Sequence, residues 1–167
     1  MINFALLGAG RIGSLHAQNI FHHEFANLKF IFDTNQKLSA SLSKKYNCIS
    51  TKTASEAINS TNIDAVLIAS STPTHTKFIT MSAIAGKAIF CEKPIDLNIN
   101  KVDQCWNKIK KLNSPFQIGF NRRYDAGNSF IKQSIDSGKI GKLEMIVITS
   151  RDPSPPPISY LKDSGGI

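Results

Sequence analysis

Six residues near the amino terminus have the spacing of a dinucleotide-binding turn. Residues 8–13 read G-A-G-R-I-G, and they follow the apolar run 2–7. In a G-x-G-x-x-G turn, the first glycine permits a tight bend, the second lets backbone approach a pyrophosphate, and the third lets helix and strand pack closely. The amino end of the next helix then offers free N–H groups and a partial positive charge. The candidate phosphate contacts are Gly8, Gly10, Arg11, Ile12 and Gly13.

An acidic residue follows at the distance where such a fold places its ribose contact. The run 28–32 (L-K-F-I-F) ends at Asp33, twenty residues after Gly13. A carboxylate there accepts hydrogen bonds from the adenosine ribose, whereas a 2′-phosphate would face it as a like charge. The pattern predicts NAD as cofactor rather than NADP. Two alternatives stay open: Arg11 could accommodate a 2′-phosphate, and the turn could be structural, with Asp33 a solvated acid.

Two polar segments follow runs that are typical of strands buried on both faces of a parallel sheet. Residues 65–69 (A-V-L-I-A) lead into a polar cluster at 70–75, and residues 88–91 (A-I-F-C) lead into Glu92-Lys93-Pro94. Ligands of an open parallel sheet bind outside the carboxyl ends of its strands, so both segments are expected to line a groove. A solvated pair of Glu92 and Lys93 is the interpretation that these residues alone favour. The groove candidates in the first segment are Ser71, Thr72, Pro73 and His75.

Strands and helices are predicted to alternate around these segments, which is the pattern of an α/β doubly wound parallel sheet. In the first helix, Ile12, Leu15, Ile20 and Phe21 are expected to cover the sheet, and His16 to be structural. A capping-box pattern, T-A-S-E, begins at Thr53. The predicted strands are 2–7, 28–32, 48–50, 64–71, 88–91 and 116–120, and the predicted helices are 11–25, 35–46, 54–59, 76–85 and 98–112.

The pattern changes after Phe120. A polar loop at 121–125, a helix at 129–137, a turn at 138–142 and a strand at 143–150 are predicted, followed by a proline-rich segment at 151–157 in which helix is blocked. The last strand has no partner downstream, and an unpaired strand is a liability, so it docks elsewhere or the chain is incomplete. We therefore predict a dinucleotide-binding domain over 1–122 and the start of a second domain over 123–167.

Composition narrows the classes of function. The chain has 167 residues, 41% of them hydrophobic and 19% charged, which is ordinary for a soluble globular protein. It has no apolar run long enough to span a membrane and no signal segment, so a cytoplasmic protein without membrane partners is expected. The net charge of +8 comes from scattered lysines, which favours a basic surface over nucleic-acid binding. Three cysteines without metal-ligand spacing predict reduced, mostly buried thiols and no metal.

Six segments, in order along the whole chain, form a recognisable set: residues 8–13, 72–75, 92–94, 119–125, 151–153 and 164–167. Together they resemble the glucose-fructose oxidoreductase, inositol dehydrogenase and rhizopine-catabolism (Gfo/Idh/MocA) family, and within it the inositol 2-dehydrogenases. The resemblance implies an NAD(P)-binding Rossmann fold followed by the truncated start of an α+β substrate domain, and it implies a homo-oligomer, often a tetramer, for the full-length protein.

The resemblance also implies a reaction, the NAD-dependent oxidation of a ring alcohol of a polyol, myo-inositol above all, to a ketone. Lys93 matches the catalytic lysine of the family, which contacts both the reacting hydroxyl and the cofactor. Thr72 and His75 match positions beside the nicotinamide end of the cofactor, and Glu92 is a further cofactor-binding candidate. Asn121, Arg122 and Asp152 match segments that border the polyol, and Arg122 also borders the cofactor. Asn121 stands where many inositol dehydrogenases have methionine, so the resemblance does not specify which polyol fits.

The family's general base lies beyond this sequence. In the family, Ser-Gly-Gly-Ile leads into a helix with an aspartate and, four residues later, a histidine whose pKa suits acid–base work. We therefore expect the 167-residue chain to bind NAD but to turn over poorly, and appreciable inositol-dependent NADH production would refute this. The alternatives are a non-catalytic NAD-binding sensor or scaffold, and a dehydrogenase or reductase of the same family for another sugar or an aldehyde.

Overall fold

The computed structural model describes residues 1–151 and 154–155. Six parallel strands form one sheet in the order β3-β2-β1-β4-β5-β6. The strand order reverses between β1 and β4, which creates the crevice where a doubly wound sheet binds its ligand. The predicted fold class is confirmed. The strands are β1 (Ile2–Leu7), β2 (Ala26–Phe32), β3 (Ile49–Ser50), β4 (Ala65–Ile68), β5 (Ala88–Cys91) and β6 (Phe116–Ile118).

The helices agree with the predicted segments, with ends displaced by a few residues. The helix predicted at 129–137 begins at Ala126 because Oδ1 of Asp125 caps it by accepting the N–H of Asn128 at 2.9 Å. The predicted polar loop at 121–125 is a 3-10 helix, Asn121–Tyr124. The α-helices are α1 (Arg11–His22), α2 (Gln36–Lys45), α3 (Ala54–Asn59), α4 (His75–Ile84), α5 (Ile99–Ile109) and α6 (Ala126–Asp136).

The capping pattern at Thr53 is confirmed, with one difference. Oγ1 of Thr53 accepts the N–H of Glu56 at 3.2 Å, as a capping residue should. The Glu56 carboxylate reaches back to the N–H of Lys52, at 3.0 Å, one residue before the capping residue. Both contacts supply acceptors to backbone groups at the start of α3.

The sheet has an apolar core on each face. One core lies under α3, α4 and α5 and includes Leu7, Val66 and Ile68. The other lies under α1 and α2 and includes Leu6 and Leu67. Successive residues of a strand point to opposite faces, so the continuous apolar runs of β1 and β4 supply both cores.

The predicted sheet-facing surface of α1 was wrong in part. Leu15 and Phe21 are each 52% exposed, whereas Gly13, Ala17 and Ile20 are the buried residues of the helix. The close approach of Gly13 to the preceding strand sets the rotation of α1, so the small side chains at 13 and 17 face the sheet and the larger ones turn outward. The ring of Phe21 contacts Tyr46 instead, with centroids 5.1 Å apart.

The predicted strand at 143–150 is not formed. These residues have no regular secondary structure, and Val147 is 82% exposed. A strand needs a partner for its N–H and C=O groups, and no described segment pairs with this one. Asp152 and the segment 164–167 lie outside the described residues. Within the described part of the chain, none of the helices has the length and apolar character needed to cross a bilayer.

Candidate cofactor-binding site

Five strands bring the predicted site residues to one edge of the sheet. Gly8 directly follows β1, and Asp33 directly follows β2. Ser71 comes shortly after β4, Glu92 directly after β5 and Asn121 shortly after β6. Because all strands are parallel, all five residues lie at the carboxyl edge, on the side where such sheets bind ligands.

Two glycines of the turn are required by backbone packing. Gly8 has a φ of +106°, and a Cβ there would lie 2.4 Å from the carbonyl oxygen of Ala69, just past β4. A Cβ on Gly13 would lie 1.9 Å from the carbonyl oxygen of Gly8. No side chain fits at either position without moving backbone, so these glycines allow β1, β4 and α1 to meet.

Backbone packing does not require a glycine at position 10, in contrast to positions 8 and 13. Its φ of −72° suits any residue, and a Cβ there would meet no protein atom within 4 Å. This open space adjoins the amino end of α1, where no described side chain caps the first turn and no acidic residue occurs. The free N–H groups of Arg11, Ile12 and Gly13 and the helix dipole suit an anion there. The cradle fits the pyrophosphate of a dinucleotide.

The Asp33 carboxylate is hydrogen-bonded to the glycine turn. Its Oδ2 accepts the N–H of Ala9 at 2.7 Å, and its Oδ1 accepts the N–H of Asn35 at 2.7 Å. A carboxylate has roughly four acceptor sites, so about two remain for the hydroxyls of a ribose. The end of β2 is thereby tied to the turn after β1, as a ribose site beside a pyrophosphate site requires.

The segment after β4 is fixed by its own hydrogen bonds. Residues Thr72–Thr74 form a 3-10 helix, in which Oγ1 of Thr74 donates to the carbonyl oxygen of Ser71 at 2.7 Å. The same Oγ1 lies 2.7 Å from Oγ of Ser70. Ser71 and Pro73 are exposed at the carboxyl edge, and Thr72 is half-buried.

His75 lies beneath this segment, with only 1% of its surface exposed. Its Nδ1 is 2.7 Å from the carbonyl oxygen of Pro94, and its Nε2 is 2.9 Å from that of Ser70. Carbonyl oxygens only accept, so a neutral imidazole donates to one of them and a doubly protonated ring donates to both. The ring joins the segment after β4 to the turn after β5. Its predicted contact with the cofactor stays a prediction.

Glu92 and Lys93 do not form the solvated side-chain pair that these residues alone favour. Oε1 of Glu92 lies 2.8 Å from Nε2 of His16, and its Oε2 accepts the backbone N–H of Lys93 at 3.3 Å. The Lys93 side chain is exposed, and its ammonium group forms no ion pair with a described residue. The peptide bond from Lys93 to Pro94 is cis. Because the Lys93 side chain is exposed and forms no such ion pair, its amine is free to meet a ligand at the carboxyl edge.

The remaining predicted contacts follow β6. Asn121 and Arg122 are exposed in the 3-10 helix Asn121–Tyr124, and the N–H of Asn121 donates to the carbonyl oxygen of Gly119 at 2.9 Å. Gly119 itself donates to the carbonyl oxygen of Cys91 at 2.8 Å, which ties this segment to β5. The third predicted polyol contact, Asp152, lies outside the described residues.

The sequence did not single out Gly119 or the partner of His16. A Cβ on Gly119 would lie 3.2 Å from Cδ and both carboxylate oxygens of Glu92, so a glycine leaves room for that carboxylate. Gly119 is part of a segment that resembles the family, but nothing in that segment points to Glu92. The only signal for His16 is its place two turns into the helix that begins at the glycine turn.

The three cysteines are free, as predicted. Burial raises the pKa of the Cys91 thiol to about 12, with smaller contributions from the charge of Glu92 and from Cys105. Burial also raises the pKa of Cys105 and of Cys48. Neutral thiols are poor nucleophiles and poor metal ligands. Among the described residues, no group of three or more His, Cys, Asp or Glu side chains could hold a metal ion.

Comparisons with known proteins agree with this geometry. Residues 2–120 match GFO_IDH_MocA, described as an oxidoreductase family with an NAD-binding Rossmann fold. An inositol 2-dehydrogenase of Rhizobium meliloti is 44% identical over 99% of this chain and 50% of its own length. The chain thus spans about half the length of this relative.

Two solved structures are similar in fold. The myo-inositol dehydrogenase of Corynebacterium glutamicum has a TM-score of 0.93 and 38% identity, over 99% of this chain and 50% of its own. The scyllo-inositol dehydrogenase of Lactobacillus casei, with bound NAD(H) and scyllo-inositol, has a TM-score of 0.80 and 32% identity, over 84% of this chain and 42% of its own. The match over residues 2–120 covers more than half of the chain, and the chain therefore belongs to the Gfo/Idh/MocA oxidoreductase family.

Proposed function

We propose that this chain is the NAD-binding part of a dehydrogenase that oxidises a ring alcohol of a polyol, myo-inositol above all, to a ketone. The proposal depends on one observation: the glycine turn, Asp33 and the free amine of Lys93 lie at the same edge of the sheet. The names of its inositol-dehydrogenase relatives support the substrate class. The end of the family match at residue 120 supports a domain boundary near 122.

The cofactor-binding residues have separate tasks in this proposal. The amides at the start of α1 and the open space at Gly10 hold the pyrophosphate, and Gly8 and Gly13 keep the turn tight. Asp33 accepts hydrogen bonds from the adenosine ribose. The segment after β4, with Glu92, borders the nicotinamide end, and the residues concerned are Ser71, Thr72, Pro73 and His75. Bound NAD supplies a hydride acceptor.

Lys93 stabilises negative charge on the reacting oxygen. Oxidation of a secondary alcohol removes a proton from oxygen and a hydride from carbon. Negative charge develops on the oxygen as its proton passes to a general base, a histidine in the family that the chain resembles, and this charge is discharged as the hydride leaves. The Lys93 ammonium donates to that oxygen and stabilises the charge, which is most effective when water is excluded. Asn121, Arg122 and Asp152 would border the other hydroxyls of the polyol.

Cofactor choice is tested by titrating the chain with NAD and with NADP. The parent chain is expected to bind NAD more tightly, and Asp33→Ser to shrink this preference by roughly tenfold or more, because a like-charge contact with the 2′-phosphate is removed. Asp103→Ser is the matched control, since it removes an exposed acid of α5 and changes net charge equally. An unchanged NAD preference in Asp33→Ser would contradict the assigned role.

The chemical role is tested in the protein at its full natural length. Steady-state assays with inositol isomers and with aldoses are expected to show inositol-dependent NADH production. Lys93→Met is expected to lower kcat by about a hundredfold to ten-thousandfold while NAD affinity changes little. Faster turnover of an aldose than of every inositol isomer would replace the proposed substrate, and full activity in Lys93→Met would refute the role of the lysine.

A further inference from the structure

The Glu92 carboxylate is held by a residue of the phosphate-binding helix. His16 lies in α1, and its Nε2 is 2.8 Å from Oε1 of Glu92, although 76 positions separate them in sequence. The two side chains are 17% and 21% exposed. The His16 ring also packs edge-on against Phe90, with centroids 5.4 Å apart and planes at 65°. The imidazole is thus fixed by packing as well as by the hydrogen bond.

The carboxylate has little freedom on its other sides. Its Oε2 accepts the backbone N–H of Lys93 at 3.3 Å, and a Cβ on Gly119 would lie 3.2 Å from its carboxylate atoms, a contact tighter than usual. The carboxylate therefore connects α1 directly to the backbone of Lys93. Beyond Lys93, the carbonyl of Pro94 is held by the buried ring of His75. Both neighbours of Lys93 are anchored, and its side chain is the free part of the turn.

We propose that His16 is a positioning residue, which couples the phosphate-binding helix to Lys93 through the carboxylate of Glu92. The inference rests on the proposed function, because it requires the nicotinamide end of NAD to lie beside Lys93. The free energy of cofactor binding at the amino end of α1 then depends in part on the position of the Lys93 turn, and the position of that turn depends on the cofactor. Such coupling is reciprocal. It needs a physical connection between two elements, and the His16 to Glu92 contact is one.

Protection of the Lys93 amine by NAD measures this coupling without turnover. The 167-residue chain is acetylated by an amine-reactive ester with and without NAD, and the rate at Lys93 is followed by peptide mass spectrometry. NAD is kept at saturation for each variant, as set by that variant's own titration. Weaker binding alone therefore cannot change the result.

In His16→Ala, the NAD-dependent protection is expected to be roughly three- to tenfold smaller than in the parent. This is the effect expected from the loss of one hydrogen bond between side chains. His16→Gln is expected to retain most of it, because an amide still donates to the carboxylate. His22→Ala is the matched control, since His22 lies in the same helix and is exposed, and it should protect as the parent does. His16→Asn is a second variant that stays polar but is too short to reach Glu92.

The outcomes separate this inference from the proposed function. Protection that survives in a folded His16→Ala or His16→Asn chain would overturn the inference alone. Loss of protection in His16→Gln equal to that in His16→Ala would also overturn it, because the ring's packing rather than its hydrogen bond would then be responsible. Absence of protection in the parent chain would overturn the proposed function and this inference with it.

Discussion

The carboxyl edge of the sheet and the segment after residue 120 differ in how their side chains are used. At the edge, the polar groups of Asp33, His75 and Glu92 all have hydrogen-bond partners among neighbouring elements. After residue 120, large apolar side chains are exposed instead: Phe130, Ile131, Ile140, Met145, Ile146, Val147 and Ile148. All of these hydrogen-bond partners are described residues. In the second region these apolar side chains have no such partners among the described residues and are exposed.

The largest expected difference in stability between the two regions comes from adding one methyl group to a glycine. Gly13→Ala would place a Cβ 1.9 Å from the carbonyl oxygen of Gly8, and only movement of α1 or β1 could relieve the clash. We expect a loss of more than about 3 kcal/mol in the free energy of unfolding, measured by urea denaturation with circular dichroism. The control, Gly127→Ala in α6, has only the Asp125 carboxylate nearby and should change stability by less than about 1 kcal/mol. Equal stabilities for the two variants would remove the contrast.

At the carboxyl edge, a substitution of Gly10 is expected to change NAD affinity with little change in the stability of the protein. Gly10→Ala adds a methyl group where no protein atom lies within 4 Å, so we expect the free energy of unfolding to change by less than about 1 kcal/mol. The methyl group would occupy space assigned to the pyrophosphate. NAD affinity should fall roughly ten- to hundredfold, as overpacking costs of about 1–3 kcal/mol imply. Unchanged affinity, measured by calorimetric titration, would show that the pyrophosphate does not approach Gly10.

Local signals explain what could be predicted from the sequence. The glycine turn, the buried strands and the Thr53 cap are specified by residues within a few positions of one another, and all were predicted. The orientation of Leu15 and the link between His16 and Glu92 depend on how α1 rests on the sheet, which is set by contacts between distant residues. The strand predicted at 143–150 failed for a related reason. The partial alternation at Met145 and Val147 favours a strand, but pairing needs a second strand, which no described segment supplies.

The buried thiol of Cys91 gives the sheet a pH dependence. Its pKa is raised to about 12 from an ordinary value of 9.0, chiefly by burial. Below pH 9 the thiol is neutral in both the folded and the unfolded chain. Between pH 9 and 12 only the unfolded chain ionises, so stability falls as pH rises. The parent should lose up to about 1.4 kcal/mol per pH unit more than Cys91→Ala in this window, as followed by urea denaturation from pH 8 to 11. Parallel pH profiles would contradict this.

The smallest effect is expected at Val147, an exposed valine of the second region, which is compared with the buried Val66 of the first. Val66 in β4 is fully buried, and Val66→Ala should reduce the free energy of unfolding by about 2 kcal/mol, because it removes packed methyl groups. Val147→Ala makes the same chemical change at an exposed position, where the expected change is within about 0.5 kcal/mol. Both variants are measured by urea denaturation under one set of conditions. A loss at Val147 equal to that at Val66 would mean that residue 147 is packed in the folded chain, and the contrast in burial between the two regions would then not hold at this position.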